Sequence, residues 1–188
     1  MKNLKNYISA IDIGSNSIHL VTAEVNSFGH MKVRQTDKIT ARLGEYLDEH
    51  QNMQKKGIEQ LCNVLEHFKE ISAGYSPVIR ATATQAIRSA RNKEEVLQIV
   101  FKKTGIAIEI IDGIEEARLV FLGMESGLQL DGQAILGVDI GGGSTEFIHS
   151  KDGNIDFVKS LKLGAVTTTK QFEKKNKLNS RFFSSVRE

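Results

Sequence analysis

Two glycine-containing turns in the sequence have a composition suited to holding phosphate groups. One reads D-I-G-S-N-S at residues 12–17 and the other D-I-G-G-G-S at residues 139–144, and each lies at the end of an apolar run. Glycine lets an anion approach the main chain, and successive backbone N–H groups form an anion-binding concavity. Short hydroxyl and amide side chains add further donors. The candidate phosphate-binding residues are Gly14, Ser15, Asn16, Ser17, Gly141, Gly142, Gly143, Ser144 and Thr145.

Either turn alone could equally be a hairpin turn without a ligand, because turns of this composition are common. The pair favours a site, because two such loops facing each other across a cleft would hold a phosphate chain from both sides. Neither turn is a Walker P-loop, which needs G-K followed by Ser or Thr, or a Rossmann G-x-G-x-x-G turn that opens a helix.

Carboxylates at the turns are suited to a divalent cation. Asp12 and Asp139 open the two turns, and Mg²⁺ prefers carboxylate, water and phosphate oxygens. Glu146 follows Asp139 by seven residues on the strand leaving the second turn, so it would return to the same end of the hairpin and could share a metal ion with Asp139. The alternative is an outward-facing polar position in a half-exposed strand.

A further acid lies at the start of a predicted helix. Asp112 is a natural N-cap, and Glu115 stands at the third helical position, where a capping-box acid belongs. Glu116 has no capping role, although its charge would also complement the helix dipole. As a general base it would need to reach an attacking water, and it would then contribute ~10²–10⁴-fold in rate. Spacing alone leaves both interpretations of Glu116 open.

Three arginines cluster at residues 80–91, and one of them is a candidate phosphate ligand. Arg88 and Arg91 are three residues apart, which predicts a shared helix face from which they could neutralise bound phosphates. Pairing of these arginines with Glu94 or Glu95 on a solvated surface is an equally open alternative.

The elements that must position these residues follow from hydrophobic periodicity. An opening antiparallel meander followed by alternating helices and strands indicates a mixed-sheet α/β domain. A second apolar strand with a D-I-G turn restarts the pattern after residue 132, which indicates a duplicated domain opening. The predicted strands are 7–13, 18–25, 31–39, 77–81, 106–111, 134–140, 144–149 and 155–160, and the predicted helices are 52–71, 84–90, 93–103, 113–127 and 167–175.

Composition limits the class of protein. The chain has 188 residues, of which 40% are hydrophobic and 26% charged, as in an ordinary globular protein. The single Cys62 excludes an intramolecular disulfide and a cysteine-only zinc site. No apolar run approaches the ~20 residues of a membrane span, and the polar N-terminus does not resemble a signal peptide. We therefore expect a cytoplasmic protein without a membrane partner.

The charge is unevenly distributed but does not predict a nucleic-acid partner. The net charge is +2, and residues 151–188 contain nine Lys or Arg against four Asp or Glu. A basic tail could bind an anionic partner. A solvated helix face is the favoured interpretation, because the lysines are interleaved with Asn and Gln and no nucleic-acid-binding signature accompanies them.

Five segments carry a resemblance to a known family. They are residues 10–21 (AIDIGSNSIHLV), 80–92 (RATATQAIRSARN), 111–124 (IDGIEEARLVFLGM), 137–148 (GVDIGGGSTEFI) and 160–169 (SLKLGAVTTT). Together they resemble the exopolyphosphatase/guanosine pentaphosphate phosphatase family, within the actin/sugar-kinase/Hsp70 superfamily. The segments occur in the family's order.

The resemblance implies a fold class. We expect an actin-like (ribonuclease H-like) mixed-sheet α/β domain at residues 1–128 and the N-terminal part of a second similar domain at residues 129–188. Family members are considerably longer, so an exposed sheet face is expected in the second domain, where Phe172, Phe182 and Phe183 would lack their usual burial partners. Such a face favours association, and a homodimer is one form that this association could take.

The resemblance also implies an activity. Members of the family hydrolyse the terminal phosphoanhydride of inorganic polyphosphate or of guanosine pentaphosphate, so a Mg²⁺-dependent phosphohydrolase is expected, with polyphosphate or guanosine penta- or tetraphosphate as partners. Glu116 would activate water, and Arg88 would support the phosphates. Asp139 and Glu146 would bind Mg²⁺, with Asp12 nearby.

Two alternatives to this activity remain. The chain could bind polyphosphate or an alarmone without turnover, because the loops are present while the second wall of the cleft is incomplete. An ATP-using kinase of the same superfamily is disfavoured, because no later adenosine-binding segment is visible in these residues.

Overall fold

A three-stranded antiparallel meander opens the chain. The computed structural model describes residues 6–75, 77–127 and 134–175. In the meander, β1 (Asn6–Ile13) pairs with β2 (Ile18–Val25), which pairs with β3 (Met31–Ile39). Alternation of buried and exposed residues along β1 places Ile11 and Ile13 in the core and Asp12 on the opposite face. This alternation is what a strand with one covered face requires.

The next elements complete the first sheet, cover one of its faces and end with a helix that packs on a second sheet. They are α1 (Lys55–Ser72), β4 (Val78–Ala83), α2 (Gln85–Arg88), α3 (Lys93–Thr104), β5 (Ile108–Ile110) and α4 (Gly113–Gly127). Strand β4 pairs in parallel with β1, and β5 pairs in parallel with β4, which gives the strand order β3-β2-β1-β4-β5. Short 3₁₀ helices at Leu43–Tyr46 and Ala73–Tyr75 flank α1.

Helix α1 supplies much of the first core. Ile58, Leu61, Leu65 and Phe68 recur at helical spacing and are all buried, Leu65 and Phe68 completely. They belong to one apolar cluster with Ile11 and other residues from β1, β2, β4 and α3. This packing holds the end of β1, and therefore the first turn, on a rigid base.

A second antiparallel sheet follows. It consists of β6 (Ile135–Ile140), β7 (Thr145–Lys151) and β8 (Asn154–Leu161), and α5 (Ala165–Lys175) follows it. Helix α4 packs on this sheet, because Ala117 and Phe121 form a buried cluster with Ile148 of β7. Helix α4 therefore follows the last strand of the first sheet in sequence but packs on the second sheet. The predicted domain boundary, between residues 128 and 129, lies outside the described residues and stays a prediction.

Two local predictions are wrong. Helix α2 has four residues rather than the seven predicted, because after Arg88 the chain tightens: the Ala90 N–H donates to the Ile87 carbonyl and the Ser89 hydroxyl to the Gln85 carbonyl. Arg88 and Arg91 therefore do not share a helix face. The 3₁₀ helix at Leu43–Tyr46 was not predicted, since four residues carry no readable period.

The expected exposed sheet face is present on the second sheet. On β6, Leu136 and Ile140 are 63% and 72% exposed, and Phe172 of α5 is 40% exposed. Phe182 and Phe183 lie outside the described residues, and association through this face stays a prediction. In the part of the chain that the structure describes, no helix is both long and apolar enough to cross a membrane.

Candidate functional site

The two glycine turns meet at one cleft of about 400 Å³. Both belong to hairpins whose strands end at this edge, so the sheets present their turns to each other. The lining residues are Asp12, Gly14, Ser15, Asn16, Ser17, His19, Lys38, Thr84, Glu116, Asp139, Ile140, Gly141, Gly142, Gly143 and Ser144. The structure therefore brings together both turns, two of the three candidate metal ligands and the candidate base.

Each turn is closed by the same hydrogen bond. The Gly14 N–H donates to the Ser17 carbonyl at 3.1 Å, and the Gly141 N–H donates to the Ser144 carbonyl at 2.9 Å. The intervening N–H groups are left without acceptors: among the described residues, those of Ser15, Asn16, Gly142 and Gly143 have no hydrogen-bond partner. Unpaired N–H groups on a cleft wall are the property that an anion-binding turn requires.

The carbonyl groups of the two turns accept hydrogen bonds from backbone N–H groups elsewhere in the chain. In the first turn, Ser15 and Asn16 accept hydrogen bonds from the N–H groups of Gly44 and Arg42, at 2.8 and 2.7 Å. In the second, Gly142 accepts from Val166 at the start of α5, at 2.8 Å. With their carbonyls fixed in this way, the turns keep their N–H groups available to the cleft.

The turns also pack directly against each other. A Cβ atom built on Gly142 would lie 2.9 Å from the Asn16 Cβ, and one built on Gly143 would lie 2.9 Å from the Gln85 Cβ and would also meet the Ser15 hydroxyl. Only bare backbone fits at these two positions, so the glycines are required by the contact between the hairpins.

The aspartates at the strand ends face each other across the cleft. The pKa of Asp12 is raised above its usual value because the cleft walls limit its hydration; His19 opposes this shift and the charge of Asp139 adds to it. The two carboxylates are therefore close enough to interact, as two acids that share a cation would be.

Glu146 lies directly opposite Asp139 on the neighbouring strand. It is 0% exposed, so the alternative of an outward-facing position is wrong. Its Oε1 accepts a 2.7 Å hydrogen bond from the Ser160 hydroxyl, whereas its Oε2 is buried without a hydrogen-bond partner among the described residues. A buried, unpartnered carboxylate oxygen is costly unless a proton donor or a cation completes it.

These carboxylates fit a magnesium ion in part. Asp12, Asp139 and Glu146 would offer hard oxygen ligands, and the Glu146 Oε2 is buried without a hydrogen-bond partner among the described residues. No group of three metal-ligating side chains converges within the described residues. Mg²⁺ usually keeps several waters and is bound by one or two carboxylates together with substrate phosphates, so a preformed three-ligand cage is not needed.

Glu116 stands in the first turn of α4 with its side chain 14% exposed. Its pKa is raised to about 6, first because burial disfavours the charged form, and the charges of Glu146 and Asp12 add to the shift. A 2.9 Å ion pair with Arg88 opposes it. A carboxyl with a pKa near 6 is ionised at neutral pH and is basic enough to accept a proton from water.

The Arg88 guanidinium is engaged in an ion pair with Glu116 and in hydrogen bonds to neighbouring residues. Its guanidinium also donates to the Ile111 carbonyl and to the Gln85 side chain, each at 2.8 Å. The alternative pairing with Glu94 or Glu95 is therefore wrong for this arginine. Arg88 does not line the cleft, and its role toward phosphate stays a prediction.

The start of α4 follows the predicted cap only in part. Asp112 Oδ1 accepts hydrogen bonds from the N–H groups of Ile114 and Glu115, at 2.9 and 2.8 Å, as an N-cap should. The Glu115 carboxylate pairs with Arg118 instead of completing a capping box. Thr145 is also occupied elsewhere, since its hydroxyl donates to the Leu163 carbonyl, so its predicted phosphate contact stays untested.

Sequence reasoning missed four residues of the site. His19, Lys38 and Thr84 line the cleft, and Ser160 holds Glu146. A signal for His19 was available: it follows Asp12 by seven residues, as Glu146 follows Asp139, and it pairs directly with Asp12. The other three depend on the pairing of more distant segments.

Comparison with known proteins identifies the family. A model of the Ppx/GppA phosphatase family matches residues 11–188. The chain belongs to this family. It is 34% identical over 167 residues to exopolyphosphatase 1 of Mycobacterium tuberculosis, covering 88% of this chain and 48% of that protein. It is 33% identical over 182 residues to a guanosine-5'-triphosphate,3'-diphosphate pyrophosphatase of Vibrio vulnificus, covering 95% of this chain and 36% of that protein. The chain thus spans about half or less of the length of these relatives.

Solved structures of Ppx/GppA members share the fold. An exopolyphosphatase from Cytophaga hutchinsonii superposes with a TM-score of 0.84 at 27% identity, covering 89% of this chain and 54% of that one. The Aquifex aeolicus family member superposes with a TM-score of 0.74 at 32% identity, with the same coverage. The predicted family and the mixed-sheet α/β fold class are confirmed.

Proposed function

We propose that the chain carries the phosphate-binding cleft and the water-activating acid of a phosphohydrolase that releases the terminal phosphate of inorganic polyphosphate or guanosine pentaphosphate. The observation that carries the proposal is the meeting of two turns with unpaired N–H groups beside a carboxyl whose pKa is about 6. The names of the mycobacterial and Vibrio relatives support the same reaction class.

The terminal phosphate would be held between the two turns. Four N–H groups, from Ser15, Asn16, Gly142 and Gly143, are free to donate to its oxygens. They lie on turns fixed from behind, so they need little reorganisation as charge develops. Phosphoryl transfer depends mainly on positioning and charge stabilisation, which fixed backbone donors supply.

Glu116 would act as the general base. Its carboxylate accepts a proton from water while the water oxygen attacks the terminal phosphorus, and the bridging P–O bond breaks. The products are inorganic phosphate and a chain shorter by one phosphate. Arg88 holds the Glu116 carboxylate by a 2.9 Å contact, which fixes its direction and keeps it ionised near neutral pH.

Asp139, Glu146 and Asp12 would hold Mg²⁺ on the phosphate side of the cleft. When bound, the ion would neutralise negative charge on the phosphate oxygens. Ser160 keeps one Glu146 oxygen engaged, so the other oxygen is the one available to the cation. We place the reaction in the cytoplasm, in keeping with the single free cysteine.

The proposal is tested by phosphate release from long-chain polyphosphate and from guanosine pentaphosphate in the presence of Mg²⁺. We expect Glu116→Gln to lower kcat by about 10²–10⁴-fold with substrate binding nearly intact, because only proton transfer is lost. Glu115→Gln is the matched control: it makes the same change one residue earlier on α4, where the carboxylate is exposed and paired with Arg118.

The outcomes separate the alternatives. Equal activity of Glu116→Gln and Glu115→Gln would remove Glu116 from the mechanism. A folded wild-type chain that binds polyphosphate but releases no phosphate would favour the binding protein without turnover. ATP-dependent phosphorylation of an acceptor would favour the kinase.

A further inference from the structure

One basic side chain in the cleft, that of Lys38, has no role in the proposed reaction. Lys38 is an exposed residue of β3 and lines the cleft. Among the described lining residues it is the only Lys or Arg, against the acids Asp12, Glu116 and Asp139. Its ammonium group forms no salt bridge or hydrogen bond within the described residues, whereas Arg88, the other nearby cation, is committed to Glu116.

Strand register fixes where Lys38 stands relative to the turns. Asp12 of β1 pairs with His19 of β2, and His19 pairs with Lys38 of β3, so the three residues form one row across the meander. Neighbouring strands are about 4.8 Å apart, so the Lys38 backbone lies about 10 Å from that of Asp12. The Lys38 backbone is therefore two strands away from the turn that Asp12 opens.

We propose that Lys38 binds the phosphate chain beyond the terminal phosphate and thereby makes the cleft favour long polyanions over short ones. The inference rests on the proposed function. A phosphate seated at the turns leaves the rest of the chain to run along the row toward Lys38, where a flexible ammonium can contact successive phosphates. Lys38 is then a specificity-determining residue rather than a catalytic one.

A different role for Lys38 would follow from its place on an edge strand. Lysines on edge strands prevent pairing with other sheets, and β3 is the edge of the first sheet. Lys32 would share that role, because it is an exposed lysine on the same strand, but it does not line the cleft. Lys32→Gln is therefore the matched control for Lys38→Gln.

The binding experiment uses the Glu116→Gln chain, in which turnover does not consume the ligand. We expect the additional change Lys38→Gln to weaken binding of long-chain polyphosphate by about three- to tenfold, as for a partly exposed charge contact. Binding should also depend less on salt, because one phosphate contact is lost. Pyrophosphate, which has at most one phosphate beyond the one held at the turns, should lose less affinity than long-chain polyphosphate. Lys38→Arg should keep the affinity, and Lys32→Gln should change nothing.

In the otherwise unchanged chain, Lys38→Gln should raise KM for long-chain polyphosphate by about three- to tenfold and leave kcat within about twofold, because the contact is equal in ground and transition states. The inference is overturned if Lys38→Gln matches Lys32→Gln, or if it weakens pyrophosphate as much as polyphosphate. It is also overturned if kcat falls while KM stays the same.

The two proposals fail separately. If the wild-type chain releases no phosphate but loses polyphosphate affinity on Lys38→Gln, the proposed hydrolysis fails and the Lys38 contact stands. If phosphate is released but Lys38→Gln changes neither the affinity nor the KM for long-chain polyphosphate, only the Lys38 inference fails. A folded Glu116→Gln chain that binds no polyphosphate at low salt contradicts both.

Discussion

The two hairpins that form the cleft have the same backbone arrangement but expose different groups at their turns. In each, an apolar strand ends in an aspartate, a Gly N–H to Ser carbonyl bond closes the turn, and the residue seven positions after the aspartate pairs with it across the strands. The first turn has Ser15 and Asn16 where the second has Gly142 and Gly143. The first therefore presents side chains, and the second presents bare backbone against which those side chains pack.

The residue seven positions after the aspartate also differs between the two hairpins, in chemical type and in burial. His19 in the first hairpin is half-buried and its ring nitrogen lies 3.0 Å from the Ser17 hydroxyl of its own turn. Glu146 in the second is fully buried and is held by Ser160 from a third strand. A repeated backbone has thus been divided into two roles: the second hairpin carries a fully buried carboxyl group, and the first carries a half-buried imidazole. Four comparisons between variants test this division, from the largest expected effect to the smallest.

Gly143→Asn places in the second turn the residue that stands at the equivalent position of the first. A side chain there would meet Ser15 and Gln85, so the two turns would be forced apart. We expect phosphate release to fall by about 10²-fold, since a displacement of about 1 Å in a positioned site has that cost. Phosphate release and thermal unfolding are to be measured together.

The control for this change is Gly123→Ala in α4, where an added Cβ has no neighbour within 4 Å. It should leave phosphate release intact and stabilise the helix by up to about 1 kcal/mol. If Gly143→Asn behaved like Gly123→Ala, the contact between the hairpins would not matter for the site.

Glu146→Gln and His19→Gln compare the paired positions directly. We expect Glu146→Gln to raise the Mg²⁺ concentration needed for half-maximal phosphate release by at least about 10- to 100-fold, because a charged ligand is lost. His19→Gln should change this concentration much less, because its main effect is on the charge beside Asp12. A Mg²⁺ titration of both variants decides the matter. Equal effects would mean that the two hairpins share the metal equally.

The duplicated plan was predictable from the sequence, and the division of roles was predictable only in part. Strand alternation and the two D-I-G turns located Asp12, Asp139 and the glycines, and the seven-residue return located Glu146. The same return applied to Asp12 would have located His19. The placement of these residues was predictable because it depends on contacts within a single hairpin, and their roles stay predictions.

Hydrophobic periodicity does not predict which distant segments come into contact. Arg88 meets Glu116 only because α2 and α4 are brought together by the sheet, 28 residues apart in sequence. Ser160 reaches Glu146 through the register of a third strand. The apolar face of α4 was predictable, but its packing on the second sheet was not, since a helical period identifies a face and not its partner.

Ser160→Ala tests the support of Glu146. With the hydroxyl removed, Glu146 would keep two buried oxygens without partners among the described residues, so the free energy of unfolding should fall by about 1–3 kcal/mol. Ser17→Ala in the first hairpin should cost less, because His19 is only half-buried. Chemical denaturation measures both. Mg²⁺ should stabilise Ser160→Ala less than Ser17→Ala if the ion binds Glu146, because the loss of a group that orients a metal ligand weakens metal binding. A Mg²⁺-independent difference would argue against that site.

The smallest expected effect is the electrostatic influence of each hairpin on the pKa of Glu116. Its carboxyl is expected to titrate near pH 6 in the Mg²⁺-free chain, and burial is the first cause. Glu146 adds more to the shift than Asp12 does. Glu146→Gln should therefore lower the pKa of Glu116 more than Asp12→Asn does, as followed by NMR of isotope-labelled glutamate. Glu115→Gln is the control, because that carboxylate is exposed, paired with Arg118 and screened by solvent.

The same titration has a consequence for stability whose sign follows from the raised pKa. The folded chain holds the Glu116 proton more tightly than the unfolded chain, so this contribution to stability is complete below the ordinary pKa of 4.5 and is lost as the pH rises through about 6. Phosphate release should rise over the same range, because the base must be ionised. Glu116→Gln should lose this part of the pH dependence of unfolding. If Asp12→Asn lowered the pKa of Glu116 more than Glu146→Gln, the first hairpin would be the stronger electrostatic neighbour, and the division of roles would be reversed.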